Sequence, residues 1–248
     1  MRSPIKSPLG KTSAHSQIEK LIPQGKVVSS YTFYSGDIEF YLSNKNRFVN
    51  CKTTKEIVID FWESMCYNPS SISDMCAHLF PLKDEKEIKI VQENWFSFKS
   101  PESRAAIFYI FNNCTKDGWI SRGELDLSLL NPLLISRIKR FTKPDNMHLA
   151  HIKDIKKDLS EDTMSDFVFF RLPRIQKKFL TEGLNVGIEE QIINLEDIYN
   201  DLVATKFVIL TRPSKFINFG HHETIFLDQY GRETDESNAK EIILHNVR

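Results

Sequence analysis

The sequence lacks most of the features that place a protein in a class at first sight. It has no excess of either charge: 33 lysines and arginines balance 33 aspartates and glutamates. Whole-chain electrostatics therefore make no case for nucleic acid or membrane, and any nucleic-acid surface has to be a local patch. No apolar run approaches the ~18 residues of a membrane span. Arg2 and Lys6 are not followed by an apolar core segment, so no secretory signal is expected. The four cysteines, Cys51, Cys66, Cys76 and Cys114, share no metal-type spacing and fit free thiols in a reducing compartment. A cytoplasmic location is the expectation. His221-His222 and the pair His148 and His151 come with no matching carboxylate or cysteine cluster, so no metal site is expected. Internal repeats and low-complexity tracts are also missing.

What is present is enough apolar sequence, 41% of 248 residues, for one large domain with a sizeable core. Phe167, Val168, Phe169 and Phe170 form a continuous β-favouring run introduced by Asp166 and ended by Pro173. Such a run predicts a strand buried on both faces, in the middle of a parallel sheet. Further strands are predicted over 27–33, 47–51, 150–155 and 206–210. Thr54 is the predicted cap of a helix over 55–65, whose Ile57, Val58, Phe61 and Met65 share one face. Strand alternating with helix predicts an α/β fold with a doubly wound, mostly parallel sheet. From residue 70 to about 140 helical segments dominate (73–80, 85–96 and 101–112), and a last helix spans 131–141. Three parts follow: 1–69 and 144–248 as the two halves of the α/β domain, and 70–143 as a helical insertion between them. Residues 189–202 predict another helix. The end, 223–228 and 241–245 around Gly231, predicts a C-terminal β-hairpin.

The order of these pieces resembles the Dam-type DNA adenine-N6 methyltransferases, from about residue 8 to the end. Pro8-Leu9-Gly10-Lys11 resembles that family's opening Gly-Gly-Lys segment. The stretch from Ser103 and Arg104 to Asn112, with Asp117-Gly118 after it, resembles the helix and Asn-Gly turn that open the target-recognition region. Arg122-Gly123-Glu124-Leu125 resembles the Gly-Glu-Phe segment beyond, and Glu241 to Asn246 the closing strand. The resemblance implies a Rossmann-like methyltransferase fold, S-adenosylmethionine as cofactor and duplex DNA as substrate.

The chemical motifs are where this chain departs from the pattern. The family's first strand ends in Phe-x-Gly-x-Gly, whose glycines let the backbone approach the cofactor. Here Phe33 matches the aromatic, Ser35 and Asp37 stand at the glycine positions, and only Gly36 lies between them. The ribose-binding acid at the end of the second strand is replaced by Lys52, whose ammonium offers donors and no acceptor. The tetrad Asp-Pro-Pro-Tyr aligns with Arg171, Leu172, Pro173 and Arg174. In the family, the aspartate and a backbone carbonyl accept hydrogen bonds from the flipped adenine's amino group, which readies its nitrogen for attack on the methyl group. Arg171 meets that amino group donor to donor. Three motifs lost on one scaffold predict an inactive derivative with no cofactor, acting as a DNA-binding or protein-interaction module. Its partners would be double-stranded DNA, an active methyltransferase or another protein, and no membrane.

Arg104, Asn112, Gly118 and Arg122 are the expected remnants of the DNA grip, joined by the basic run Arg137, Lys139, Arg140 and Lys143. Arg171 and Arg174 could touch phosphate at the old mouth or be solvated or salt-bridged loop arginines. Asp37 reads most simply as a capping carboxylate, Lys52 as a surface lysine, and Trp62, Trp95, Phe96 and Phe108 as core. Two alternatives stay open: a working S-adenosylmethionine-dependent adenine-N6 methyltransferase with acceptors from elsewhere, and a structural protein without nucleic-acid affinity. The lysine-, asparagine- and isoleucine-rich composition suggests an AT-rich source such as a phage or other virus.

Overall fold

The computed structural model describes residues 3–7, 9–79, 84–115, 125–129, 131–174, 178–180, 192–213 and 222–247. Its elements run α1 His15–Leu21, β1 Val27–Ser30, α2 Asp37–Asn44, β2 Phe48–Thr53, α3 Glu56–Tyr67, α4 Pro69–Leu79, α5 Glu85–Asn94, α6 Pro101–Cys114 and α7 Pro132–Ile138. They continue with β3 Met147–His151, α8 Ile155–Glu161, β4 Phe167–Arg174, β5 Lys178–Leu180, β6 Ile192–Asn194, α9 Leu195–Ala204, β7 Lys206–Arg212, β8 Glu223–Leu227 and β9 Glu241–His245. Among the described residues, seven strands form one sheet in the order β3-β2-β1-β4-β7-β9-β8. The first five are parallel. β9 runs against both of its neighbours, so β8 again points the same way as β7. The chain thus forms the doubly wound, mostly parallel α/β sheet that its strand–helix alternation predicts, closed by a β8–β9 hairpin.

β4 stands in the middle, and its alternation shows why a run of four apolar residues was needed. Phe167 and Phe169 enter the core layer shared with α1–α4, α6 and α7. Val168, Phe170 and Leu172 enter the opposite layer, against Ile155 and Leu159 of α8 and Ile198 and Leu202 of α9. Each fully buried Phe contributes about 2–3 kcal/mol relative to an exposed one. α6 is buried on every side from Ala105 through Cys114, with Ser100 capping its start and Pro101 at its first position. The helical stretch therefore lines the same core as the sheet. Trp62, Trp95 and Phe108 are buried core residues, as their helical spacing suggests; the Phe96 side chain lies outside the described residues.

Several boundaries differ from expectation. β1 ends at Ser30 rather than at residue 33, because the next residues leave the ladder to hold neighbouring strands through Tyr31 N to Phe169 O and Phe33 N to Lys52 O. β2 runs to Thr53, and α3 is capped by Lys55, not Thr54, while Thr53 Oγ1 accepts from Lys55 N. The strand expected over 150–155 lies at Met147–His151, and residues from Ile155 begin α8, an unpredicted helix capped by Asp154. The β5–β6 pair was not foreseen either. Arg171 to Arg174, expected in the loop beyond the central strand, are the last residues of β4 and pair with β7 across an irregular register.

Candidate functional site

In an open sheet whose connections wind to opposite faces, the two strands where the direction of winding reverses leave a crevice at their carboxyl ends. Here those strands are β1 and β4. Thr32, just past β1, clamps the crevice floor: its hydroxyl accepts from Arg171 N at 2.8 Å and donates to Arg171 O at 3.1 Å. The Arg171 side chain, 10% exposed, then crosses the opening. Its Nη1 lies 3.5 Å from Asp37 Oδ2, and its Nη2 donates to the Gly10 carbonyl at 2.7 Å. Arg212, exposed at the end of β7, donates from Nη2 to the Leu9 carbonyl at 3.0 Å. The chain before α1 is thus drawn across the carboxyl ends of β4 and β7.

That strap is fastened on both sides. Asn112 at the end of α6 grips the Lys6 backbone, accepting from its N–H at 2.7 Å and donating to its carbonyl at 3.0 Å. Lys6 Nζ donates to the Asn113 and Thr115 carbonyls. On the other side Glu241 of β9 accepts from Thr12 Oγ1, Ser13 N and Ser13 Oγ. Gly231 passes so close that a side chain there would stand 2.2 Å from the Ser13 carbonyl.

Gly36, the one glycine retained from the expected cofactor loop, is spent on packing. It has φ +76° at the start of α2, and a Cβ there would lie 2.6 Å from the Phe40 ring. Phe33 and Ser35 are buried, and Ser35 donates to Asp37. Asp37 sits in the first turn of α2, where a carboxylate suits the helix dipole. Behind it, Glu39 is buried with Ser30 donating to it at 2.6 Å; burial pushes its carboxyl above the usual range. His15 is held below its ordinary value by burial, with the nearby Arg171 charge acting in the same direction.

Lys52 is no surface lysine. Its ammonium is 2.9 Å from Asp162 and also pairs with Asp158 and the Tyr31 hydroxyl, lying 4.7 Å above the Tyr31 ring. Asp162 Oδ2 further accepts from Ser29 and Tyr31, and Ser165 donates to it as well. Burial alone would raise the Asp162 carboxyl, yet these hydrogen bonds and the Lys52 charge hold it well below the carboxylate range. The same carboxylates and burial push the Tyr31 phenol up. Sequence reading found Lys52 but missed Asp158 and Asp162, about a hundred residues away on the unpredicted α8 and just after it.

The expected DNA-contact residues divide. Asn112 is fully buried against the strap, and Arg104 is turned inward, 2.6 Å from Asp60 and bonded to the Phe98 and Lys99 carbonyls. Both side chains thus serve the fold, joining α6 to the strap and to α3. Arg137, Lys139 and Arg140 are exposed at the end of α7, with Lys139 bridging to Asp74. Gly118, Arg122 and His221 lie outside the described residues, as do the side chains of Pro173 and Arg174. Leu172 is core. Among the described residues, no group of three His, Cys, Asp or Glu side chains could hold a metal ion, and no helix is long and apolar enough to cross a membrane.

The residues at the crevice do not fit S-adenosylmethionine. The Phe33 and Phe40 rings crowd Gly36, Lys52 is bound to two carboxylates, and Arg171 crosses the opening with donors, where the resemblance leads one to expect open glycine backbone, a ribose-binding acid and an amino acceptor. Compared with models of known protein families and with curated protein sequences, the chain matches none.

Proposed function

We propose that this protein is a catalytically silent relative of the Dam-type DNA adenine-N6 methyltransferases, retained as a DNA-binding or protein-interaction module. The observation that carries the reading is Arg171. It occupies the position of the amino-accepting aspartate and is tied to Asp37 and to Gly10, two further positions of the lost cofactor site. Methyl transfer to adenine needs an acceptor aimed at the exocyclic nitrogen, and the polar groups converging here are donors or are already paired.

The sheet order, with a single reversed strand next to the last, supports descent from such an enzyme. The exposed Arg137, Lys139 and Arg140 support phosphate contact, which would be salt-dependent and weakly selective. S-adenosylmethionine tests the reading directly. An active enzyme gains about 2.7 kcal/mol of stability at ~100 times Kd, and this protein is expected to gain none. Arg171→Asp is expected not to restore methylation, since it sets a second carboxylate beside Asp37 and leaves Lys52 in place. Transfer of a labelled methyl group to duplex DNA by the unmodified protein would overturn the proposal. A gel shift across a salt series separates the two module roles, because a protein-interaction module shows no retardation even at low salt.

A further inference from the structure

We propose that Arg171 and Arg212 form a phosphate-binding site at the carboxyl ends of β4 and β7, beside the switch point of the sheet, for which the strap carbonyls of Leu9 and Gly10 are intramolecular placeholders. The two guanidiniums belong to the ends of adjacent parallel strands, β4 and β7, and converge on one dipeptide. Arg171 Nη2 is 2.7 Å from the Gly10 carbonyl, Arg212 Nη2 is 3.0 Å from the Leu9 carbonyl, and a Cβ on Gly10 would lie 3.5 Å from Arg212 Nη2. Gly10 adopts φ +76° and closes a turn back to the Ser7 carbonyl, which is what turns successive carbonyls toward the arginines.

Five N–H donors per guanidinium are poorly used this way. Among the described residues, Arg171 makes one bond to a neutral carbonyl and one long contact to Asp37, and Arg212 makes one bond to a neutral carbonyl. Charge-assisted bonds from arginine to a phosphate are shorter, forked and roughly twice as strong as those to neutral acceptors. Lys11, exposed next to the dipeptide, adds a third cation. Against these stand Asp37, whose contact is long, and Glu39, which burial biases toward its neutral form. Glu241 is occupied by Thr12 and Ser13. An anion entering here displaces two carbonyls and frees the middle of the strap while Asn112 and Glu241 still hold its ends. This site owes nothing to methyltransferase ancestry, since crevices at the carboxyl ends of any doubly wound sheet bind ligands.

The test is calorimetric titration of the full chain at low salt with inorganic pyrophosphate, adenosine 5′-monophosphate and a short DNA duplex. Pyrophosphate is expected to bind, with Arg171→Gln and Arg212→Gln each weakening it roughly tenfold or more. Binding is also expected to speed tryptic cleavage after Lys11, as the strap loosens. Competition by the duplex identifies the source as a nucleic-acid backbone, and binding of the monophosphate without duplex competition identifies a free nucleotide. If Arg171→Gln does not fold, the exposed Arg212→Gln carries the test alone. Absence of pyrophosphate binding, or binding that Arg212→Gln leaves unchanged, overturns the proposal. Stabilisation by S-adenosylmethionine bears on ancestry and leaves this result untouched.

Discussion

Lys52 and Arg171 are both cations at positions where the family resemblance leads one to expect a carboxylate, yet the molecule treats them differently. Lys52 has been rebuilt into the structure. Its ammonium is shared by Asp158, Asp162 and Tyr31, and Asp162 is saturated by Ser29, Ser165 and Lys52. Among the described residues, Arg171 has one neutral carbonyl and one long ion pair at an opening crossed by a strap. A cation whose donors are matched by carboxylates and a phenol is architecture. One whose donors rest on replaceable backbone oxygens is available to a ligand.

The sharpest way to break that contrast is Lys52→Met. It leaves Asp162, 5% exposed in its side chain, without its cation, and removing one partner of a buried pair costs about 3–5 kcal/mol. Urea denaturation at pH 7 should show a loss of at least ~3 kcal/mol. The acid limb should change too. The folded Asp162 carboxyl is depressed, so its stabilisation is complete above the unfolded value of about 3.9 and disappears as pH falls through the lower folded value. Lys52→Met should flatten that decline. A variant as stable as the parent, with the same acid limb, would show that the network is surface decoration.

Next in size is the strap's anchor. Asn112→Ala removes both bonds to the Lys6 backbone from a fully buried site, a loss of about 2 kcal/mol. Faster proteolysis within residues 3–14 should accompany it, with the sheet's own amides unchanged in hydrogen exchange. If the whole molecule loosens together, strap and sheet are one cooperative unit, and the strap is not free to yield to a ligand.

Glu39 gives a third case, a buried carboxyl whose hydrogen-bond partner is a hydroxyl rather than a cation. Burial raises its folded value above the unfolded value of about 4.3, so stability falls as pH climbs from there through the folded value. Glu39→Gln should therefore gain about 1 kcal/mol at pH 8 and nothing at pH 4. A gain of equal size at both pH values would assign the effect to packing instead.

These clusters show what a sequence can reveal. β4 was legible because burial on both faces forces apolar residues at every position, and α6 because its apolar residues are unbroken. The β8–β9 hairpin was legible from its polar turn. Lys52 could be seen as a misfit, but its neutralising aspartates lie on and just after α8, whose seven residues bury only Ile155 and Leu159 and so carry almost no periodic signal. Arg104 and Asn112 resembled DNA contacts because residue type does not reveal whether a donor is already taken. Asp60 and the Lys6 carbonyl take them, 44 and 106 residues away. Arg212 drew no notice at the end of an ordinary strand; it gains meaning only from β7 lying beside β4.

The smallest expected effect tests the comparison most closely. Arg171→Gln gives up the solvent-exposed bond to the Gly10 carbonyl and a 3.5 Å ion pair to a partly exposed Asp37, contacts worth about 1 kcal/mol or less. Its stability curve should nearly overlay the parent's in urea, while Lys52→Met shifts far to the left. A loss from Arg171→Gln as large as that from Lys52→Met would mean that the crevice arginine is a structural keystone as well. Thr32 would then be the natural cause, since its hydroxyl already fixes the Arg171 backbone on both sides and could transmit any displacement to the ends of β1 and β4. A near-silent change, by contrast, leaves the guanidinium positioned by its backbone and only loosely held at its tip, as a residue that exchanges partners must be.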